Sequence, residues 1–157
     1  MSGKEESATN SAPVADLSSL DTKAAAERGI VVDLEHPFTP EKPFVDDAGV
    51  PYSITILGGD AGKVRAKGRK QLDRYISLIR KNKDPGDSET SEQDNIDRLA
   101  TATIAWHLPP LDGAELPDPT EHLARKLYSD SRFPWIVEQL TKAINDRARF
   151  FVKSSTS

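Results

Sequence analysis

The chain has no cysteine, which removes disulfides, thiolate nucleophiles and cysteine-ligated zinc together. It also lacks any run of about 18 consecutive apolar residues, the length a membrane helix needs. The opening MSGKEESATNSAPVADLSS has no apolar stretch of the kind that signal peptides carry. These absences lead us to expect a soluble, intracellular protein with no membrane partner. Histidine is scarce as well: His36, His107 and His122 show neither HExxH nor a His-x-x-x-His spacing, so no metal site is expected. His107 is expected at a helix end, near terminal carbonyls. No serine or threonine stands in a nucleophile motif such as GxSxG.

One stretch imitates a nucleotide site. Gly58 to Arg65, GGDAGKVR, follows an expected strand and opens an expected helix. A phosphate-binding loop needs GxxxxGK followed by Ser or Thr, so that backbone amides cradle the phosphates and the hydroxyl reaches magnesium. Here the spacing from Gly58 to Gly62 is one residue short, and Val64 stands where the hydroxyl belongs. The simpler reading is a glycine turn whose Asp60 caps the next helix. With no catalytic constellation in view, the expectation is a binding protein rather than an enzyme, with no cofactor and no metal.

What is present is a polar chain of 157 residues, 36% hydrophobic and 29% charged, enough for one domain with a modest core. Its net charge of −4 is unevenly spread. Between Ala61 and Lys83 nine basic residues (Lys63, Arg65, Lys67, Arg69, Lys70, Arg74, Arg80, Lys81, Lys83) face one acid, Asp73, a local balance of 9 − 1 = +8 that leaves −12 for the remainder. A segment of this kind pairs internally or meets an acidic partner.

The expected class is α+β, mainly helical, with a small antiparallel β-hairpin or meander near the N-terminus. Residues 1–15 offer nothing to bury and are expected as a disordered tail, with 154–157 as a second one. A single domain covers 16–153. It opens with a short helix over Ser18 to Arg28, capped by Ser19 or Asp21 and stopped at Gly29. The hairpin spans 30–58: Ile30, Val31 and Val32 begin a strand, Asp46-Asp47-Ala48-Gly49 makes a turn, and Tyr52, Ile54 and Ile56 alternate with Ser53, Thr55 and Leu57. A basic helix occupies about 61–82, with Val64, Gly68, Leu72, Tyr75, Ile76 and Ile79 as one apolar stripe and a close packing contact expected at Gly68. The acidic loop Asp84 to Gln93 should be protease-sensitive at its tip. Further helices are expected at 94–107, at 120–128, and at 134–152, the last opened by Pro134.

The stretch from Pro119 to Val152 holds Tyr128, Phe133, Trp135, Phe150 and Phe151, half of the chain's ten aromatic residues. Phe133, Ile136, Val137, Leu140, Ile144, Ala148 and Phe151 follow the helical period. Trp106 reads as core. Trp135, beside Phe133 and Pro134 but off the stripe, reads equally as core or as interface.

Taken together, several features resemble the small tail assembly chaperones of long-tailed (siphovirus-like) bacteriophages. They are the short helix ending at Gly29, the turn Asp47-Ala48-Gly49-Val50-Pro51, the strand end Ile56-Leu57-Gly58-Gly59-Asp60 and the basic helix. The closing Leu127-Tyr128, Phe133-Pro134-Trp135-Ile136, Gln139, Ile144 and Asp146 to Phe151 complete the set. The resemblance covers roughly Asp16 to Val152, through hydrophobic and turn positions rather than catalytic ones. It implies a non-catalytic helper of the host bacterial cytoplasm that binds the tape measure protein and promotes tail tube assembly, with the tube protein and self-association as further contacts. An amphipathic helix in an apolar groove is then the expected recognition mode. The partner-binding residues would be Trp135, Leu140, Ile144, Ala148 and Phe151, with charge steering from Lys63, Lys67, Lys70 and Arg74. The competing expectation is a minor structural or DNA-associated phage protein that holds nucleic acid through the basic face 63–83.

Overall fold

The computed structural model describes residues 16–83 and 88–150, apart from the side chains of 88–90. The expected tails at 1–15 and 154–157, the 84–87 part of the acidic loop and Phe151 lie outside the described residues. Within them the protein is α+β and mainly helical, with one small antiparallel sheet. A 3-10 turn, Leu17–Leu20, leads into α1 (Thr22–Arg28), β1 (Ile30–Asp33), β2 (Ser53–Ile56), α2 (Gly62–Arg80) and α3 (Ser88–Ala102). Then come β3 (Thr103–His107), α4 (Glu121–Tyr128), α5 (Pro134–Ile144) and a closing 3-10 turn, Arg147–Phe150.

Local chemistry explains most of these boundaries. The Asp21 carboxylate accepts from Ala24 N–H at 2.9 Å and so caps α1, and Gly29, at φ 75°, ends it. In the turn between β1 and β2, Asp46 Oδ1 accepts from the amides of Ala48 and Val50, both at 2.9 Å, while Gly49 takes φ 82°. The Thr120 hydroxyl accepts from Leu123 N–H at 3.0 Å, and Pro134 occupies the first turn of α5.

The sheet order is β1-β2-β3, with Ile30 opposite Ile56 on one side and Ile54 opposite Trp106 on the other. Its third strand corrects the expected helix over 94–107. The helix stops at Ala102, and Thr103–His107 runs on as a strand along the open edge of β2. Thr103, Ile104 and Trp106 suit a pleated strand as well as they suit a helix. The free backbone groups of β2 decide between the two. His107 therefore sits in a strand, not at a helix end: its Nε2 lies 2.8 Å from Asp46 Oδ2 and its ring stacks on Tyr52.

A second correction falls at the C-terminal end. The helix expected to run through 134–152 ends at Ile144. Asp146 Oδ1 then accepts from Ala148 N–H at 3.1 Å, a local turn that competes with helix continuation. The chain folds back so that Phe150 is buried against Gly58 and Ala26. Gly58 is required there, because a Cβ on it would stand 2.8 Å from the Ala26 Cβ. The core joins Val32, Ile54 and Ile56 of the sheet to Leu99, Leu127, Ile136 and Leu140 of α3, α4 and α5. Asn95 Nδ2 donates to Thr141 Oγ1 at 2.9 Å, tying α3 to α5.

Candidate protein-binding surface

The longest helix among the described residues, α2, contributes little to this core. Of its 19 residues Val64 alone is buried. Its start is built differently from expectation, because Asp60 does not cap it: Ala61 is the N-cap residue and makes no side-chain cap bond. The Gly62 amide instead donates to Glu27 Oε2 of α1 at 2.9 Å. Asp60 is turned toward the C-terminal 3-10 turn, accepting from Arg147 Nε at 2.6 Å and Nη2 at 3.0 Å, with Arg65 Nη1 at 3.5 Å. The Arg147 hydrogen bonds hold the Asp60 pKa down at about 2 against the opposing effect of its burial.

Halfway along, α2 is fastened to α3. Gln71 Nε2 donates to the Asp94 carbonyl at 2.9 Å, and Arg74 Nη2 to both Asp94 carboxylate oxygens at 2.8 and 2.7 Å. Arg74, expected as a steering charge, is thus paired with Asp94 and half-exposed. Lys63, Lys67 and Lys70 have no carboxylate within salt-bridge distance among the described residues. Nor do Arg69, Arg80, Lys81 and Lys83.

Past this fastening the apolar stripe of α2 faces outward. Leu72 is 55% exposed, Tyr75 46%, Ile76 37% and Ile79 48%. Their spacing of i, i+3, i+4 and i+7 places them on one helical face. Full burial of a Leu or Ile is worth about 1.5–3 kcal/mol, so the three half-exposed aliphatic side chains leave roughly 2–4 kcal/mol of burial unrealised. Isolated exposed leucines need no explanation, whereas a contiguous stripe rimmed by charge marks a contact surface. Gly68 differs from expectation too: a Cβ there would meet nothing within 4 Å, so it is an open notch, not a close helix contact.

Among the described residues, those expected to form a partner surface on the last helix do not share one exposed face. Leu140 and Ile144 are 0% and 2% exposed and belong to the core, because the same 3.6 period that made them look like an interface turns them onto α3 and the sheet. Ala148 is exposed on the 3-10 turn, off any common face with them. Trp135 is half-buried and packed on the core, with its ring 6.1 Å from that of Phe44 in an edge-on arrangement. Beside it a small apolar cavity of about 80 Å³ lies between Leu108, Leu111, Leu116 and Phe133. Trp106 also packs on the core, its Nε1 donating to the Pro117 carbonyl at 2.9 Å.

The stripe on α2 was visible in the sequence, but its exposure was not. The signal was one of supply: among the described residues five helices and a three-stranded sheet offer few apolar faces, and α4 and α5 use those of α3 and the sheet. Among the described residues no group of three or more His, Asp or Glu gathers as metal ligands would, and no helix is long and apolar enough to cross a membrane. No family model, curated protein or solved structure matches the chain.

Proposed function

We propose that the protein is a non-catalytic assembly helper of the phage tail chaperone kind, which holds the tape measure protein and promotes tail tube assembly in the host cytoplasm. One observation carries the reading: the half-exposed Leu72, Tyr75, Ile76 and Ile79 form a helical stripe bordered by basic side chains. Such a face suits a helical partner laid along it, with the apolar row supplying affinity and the lysines steering the encounter. The resemblance of the turn and C-terminal positions to tail assembly chaperones supplies the identity of that partner.

The test is co-expression with a tape measure fragment. The wild-type protein is expected to co-purify with it, and Ile76→Glu is expected to remain folded and lose it. The competing reading is nucleic-acid retention through 63–83. If duplex DNA is held at moderate salt, released by charge reversal at Lys67 and Lys70 but not by Ile76→Glu, and no tape measure fragment is captured, the chaperone reading falls.

A further inference from the structure

Where α2 passes α3, three arginines converge on a shallow depression of about 250 Å³: Arg65 and Arg69 from α2 and Arg98 from α3. Val64, Gly68 and Leu72 form its apolar side, and Gly59 closes one end. Leu72 also opens the exposed stripe, so the depression and the stripe are one continuous surface. The missing side chain at Gly68 is what keeps the depression open.

Arg98 is the unusual member. It is half-buried, and its Nη2 reaches across Gly59, 3.0 Å from where a Cβ there would stand. That nitrogen donates to Asn145 Oδ1 at 2.9 Å, a neutral acceptor. Among the described residues no carboxylate comes within salt-bridge distance of Arg98. A guanidinium partly withdrawn from water without a counter-charge loses some of its hydration, and that burial lowers its pKa from the ordinary value. Arg65 reaches Asp60 only at 3.5 Å, and Arg69 has no ion-pair partner among the described residues. The planar fork of arginine matches a carboxylate with two parallel bonds.

We propose that the Arg65, Arg69 and Arg98 notch receives an aspartate or glutamate side chain from an amphipathic helix laid along the Leu72 to Ile79 stripe, so that α2 selects an acidic partner helix and fixes its register. This rests on the reading of the stripe as a binding face. Charge decides the occupant. A second copy of α2 would bring the same basic set against this one, a like-charge juxtaposition. The apolar row that runs on from Leu72 matches the apolar face of a helix, and the arginines beside it match an acid on that helix's flank.

The experiment uses the full chain and a labelled synthetic amphipathic helix with leucine at i, i+3, i+4 and i+7 and glutamate on both flanks, followed by fluorescence anisotropy. The same helix carrying glutamine for glutamate is the comparator. The wild-type protein is expected to bind the glutamate helix about tenfold more tightly than the glutamine helix. Arg98→Gln is expected to erase that preference while leaving the affinity for the glutamine helix unchanged. Should Arg98→Gln melt early, Arg69→Gln, an exposed position, serves in its place.

Equal affinity for the two helices, a preference that survives both substitutions, or no binding of either helix overturns the proposal. So does sedimentation showing a dimer that Ile76→Glu dissociates, or Arg98-dependent binding to anionic phospholipid vesicles or duplex DNA in preference to the glutamate helix. A tape measure fragment captured equally by wild type and Arg98→Gln removes the notch and leaves the assembly reading standing. Selective capture of the glutamate helix without capture of that fragment does the reverse.

Discussion

The phenolic oxygen of Tyr128 lies 2.7 Å from the hydroxyl of Thr103, both buried, at the point where α3 becomes β3. Thr103 Oγ1 also lies 2.9 Å from the Leu99 carbonyl, to which it donates, so the Tyr128 hydroxyl donates to Thr103. Helix, strand and α4 are joined by this relay. Tyr128→Phe removes one donor and leaves Thr103 bonded to Leu99, and should cost about 1 kcal/mol. Thr103→Val removes that bond and strands the buried tyrosine O–H, and should cost about 2–3 kcal/mol. Urea unfolding of the two variants measures the order, and a smaller loss for Thr103→Val would show that the relay does not hold this junction.

That junction also marks where the sequence stopped being legible. Ile96, Leu99, Ala100 and Thr103 continue one helical face, and nothing local says that the next residues leave it. The strand is dictated by the unpaired edge of β2, some fifty residues earlier in the chain. The hairpin turn at Asp46, the Pro134 helix start and the basic helix were readable because each is set by neighbours in sequence. The Asp60–Arg147 pair spans 87 residues and left no local trace. The candidate site was half readable: periodicity located the stripe on α2, but whether a stripe is covered depends on every other apolar face in the fold. The same blindness made the buried Leu140 and Ile144 look like an interface.

Two glycines should answer the same substitution with opposite signs. At Gly58 an added Cβ stands 2.8 Å from the Ala26 Cβ and 3.2 Å from a ring carbon of Phe150, neither a flexible chain end. Gly58→Ala is expected to destabilise by about 1–3 kcal/mol through overpacking. At Gly68 the added carbon meets nothing within 4 Å in the middle of a helix, and Gly68→Ala should stabilise by up to about 1 kcal/mol. Thermal melts of the pair decide it. A Gly68→Ala protein that melts earlier than wild type would mean that the notch is covered.

The Asp60–Arg147 contact predicts an acid-labile C-terminal turn. The folded pKa of Asp60 is about 2, below its ordinary value of 3.8. Its contribution is therefore fully present above about pH 4 and is lost as pH falls toward 2. Arg147 is 72% exposed on its side chain, so salt should screen the pair. Asp60→Asn removes the titration. The difference in melting temperature between wild type and Asp60→Asn should shrink both on acidification from pH 5 to about pH 2 and on raising salt at neutral pH. A difference that stays constant across that range would mean that the pair contributes nothing through its charge.

The proposed placement of the binding surface on α2 rather than α5 yields a last contrast. Ile76→Glu puts a charge on a side chain 37% exposed and should cost about 1–2 kcal/mol, less than a core truncation, while partner capture is lost. Leu140→Ala opens a cavity at a fully buried position and should cost about 2–5 kcal/mol, with capture falling only in proportion to the unfolded fraction. Trp135→Ala stands between them. It loses the packing against Phe44 and should weaken the fold without changing the affinity of the protein that remains folded. Circular dichroism melts paired with anisotropy titrations separate these outcomes. If Trp135→Ala abolishes binding in a stably folded protein while Ile76→Glu leaves it intact, the partner sits on α5, and the exposed row on α2 requires another occupant.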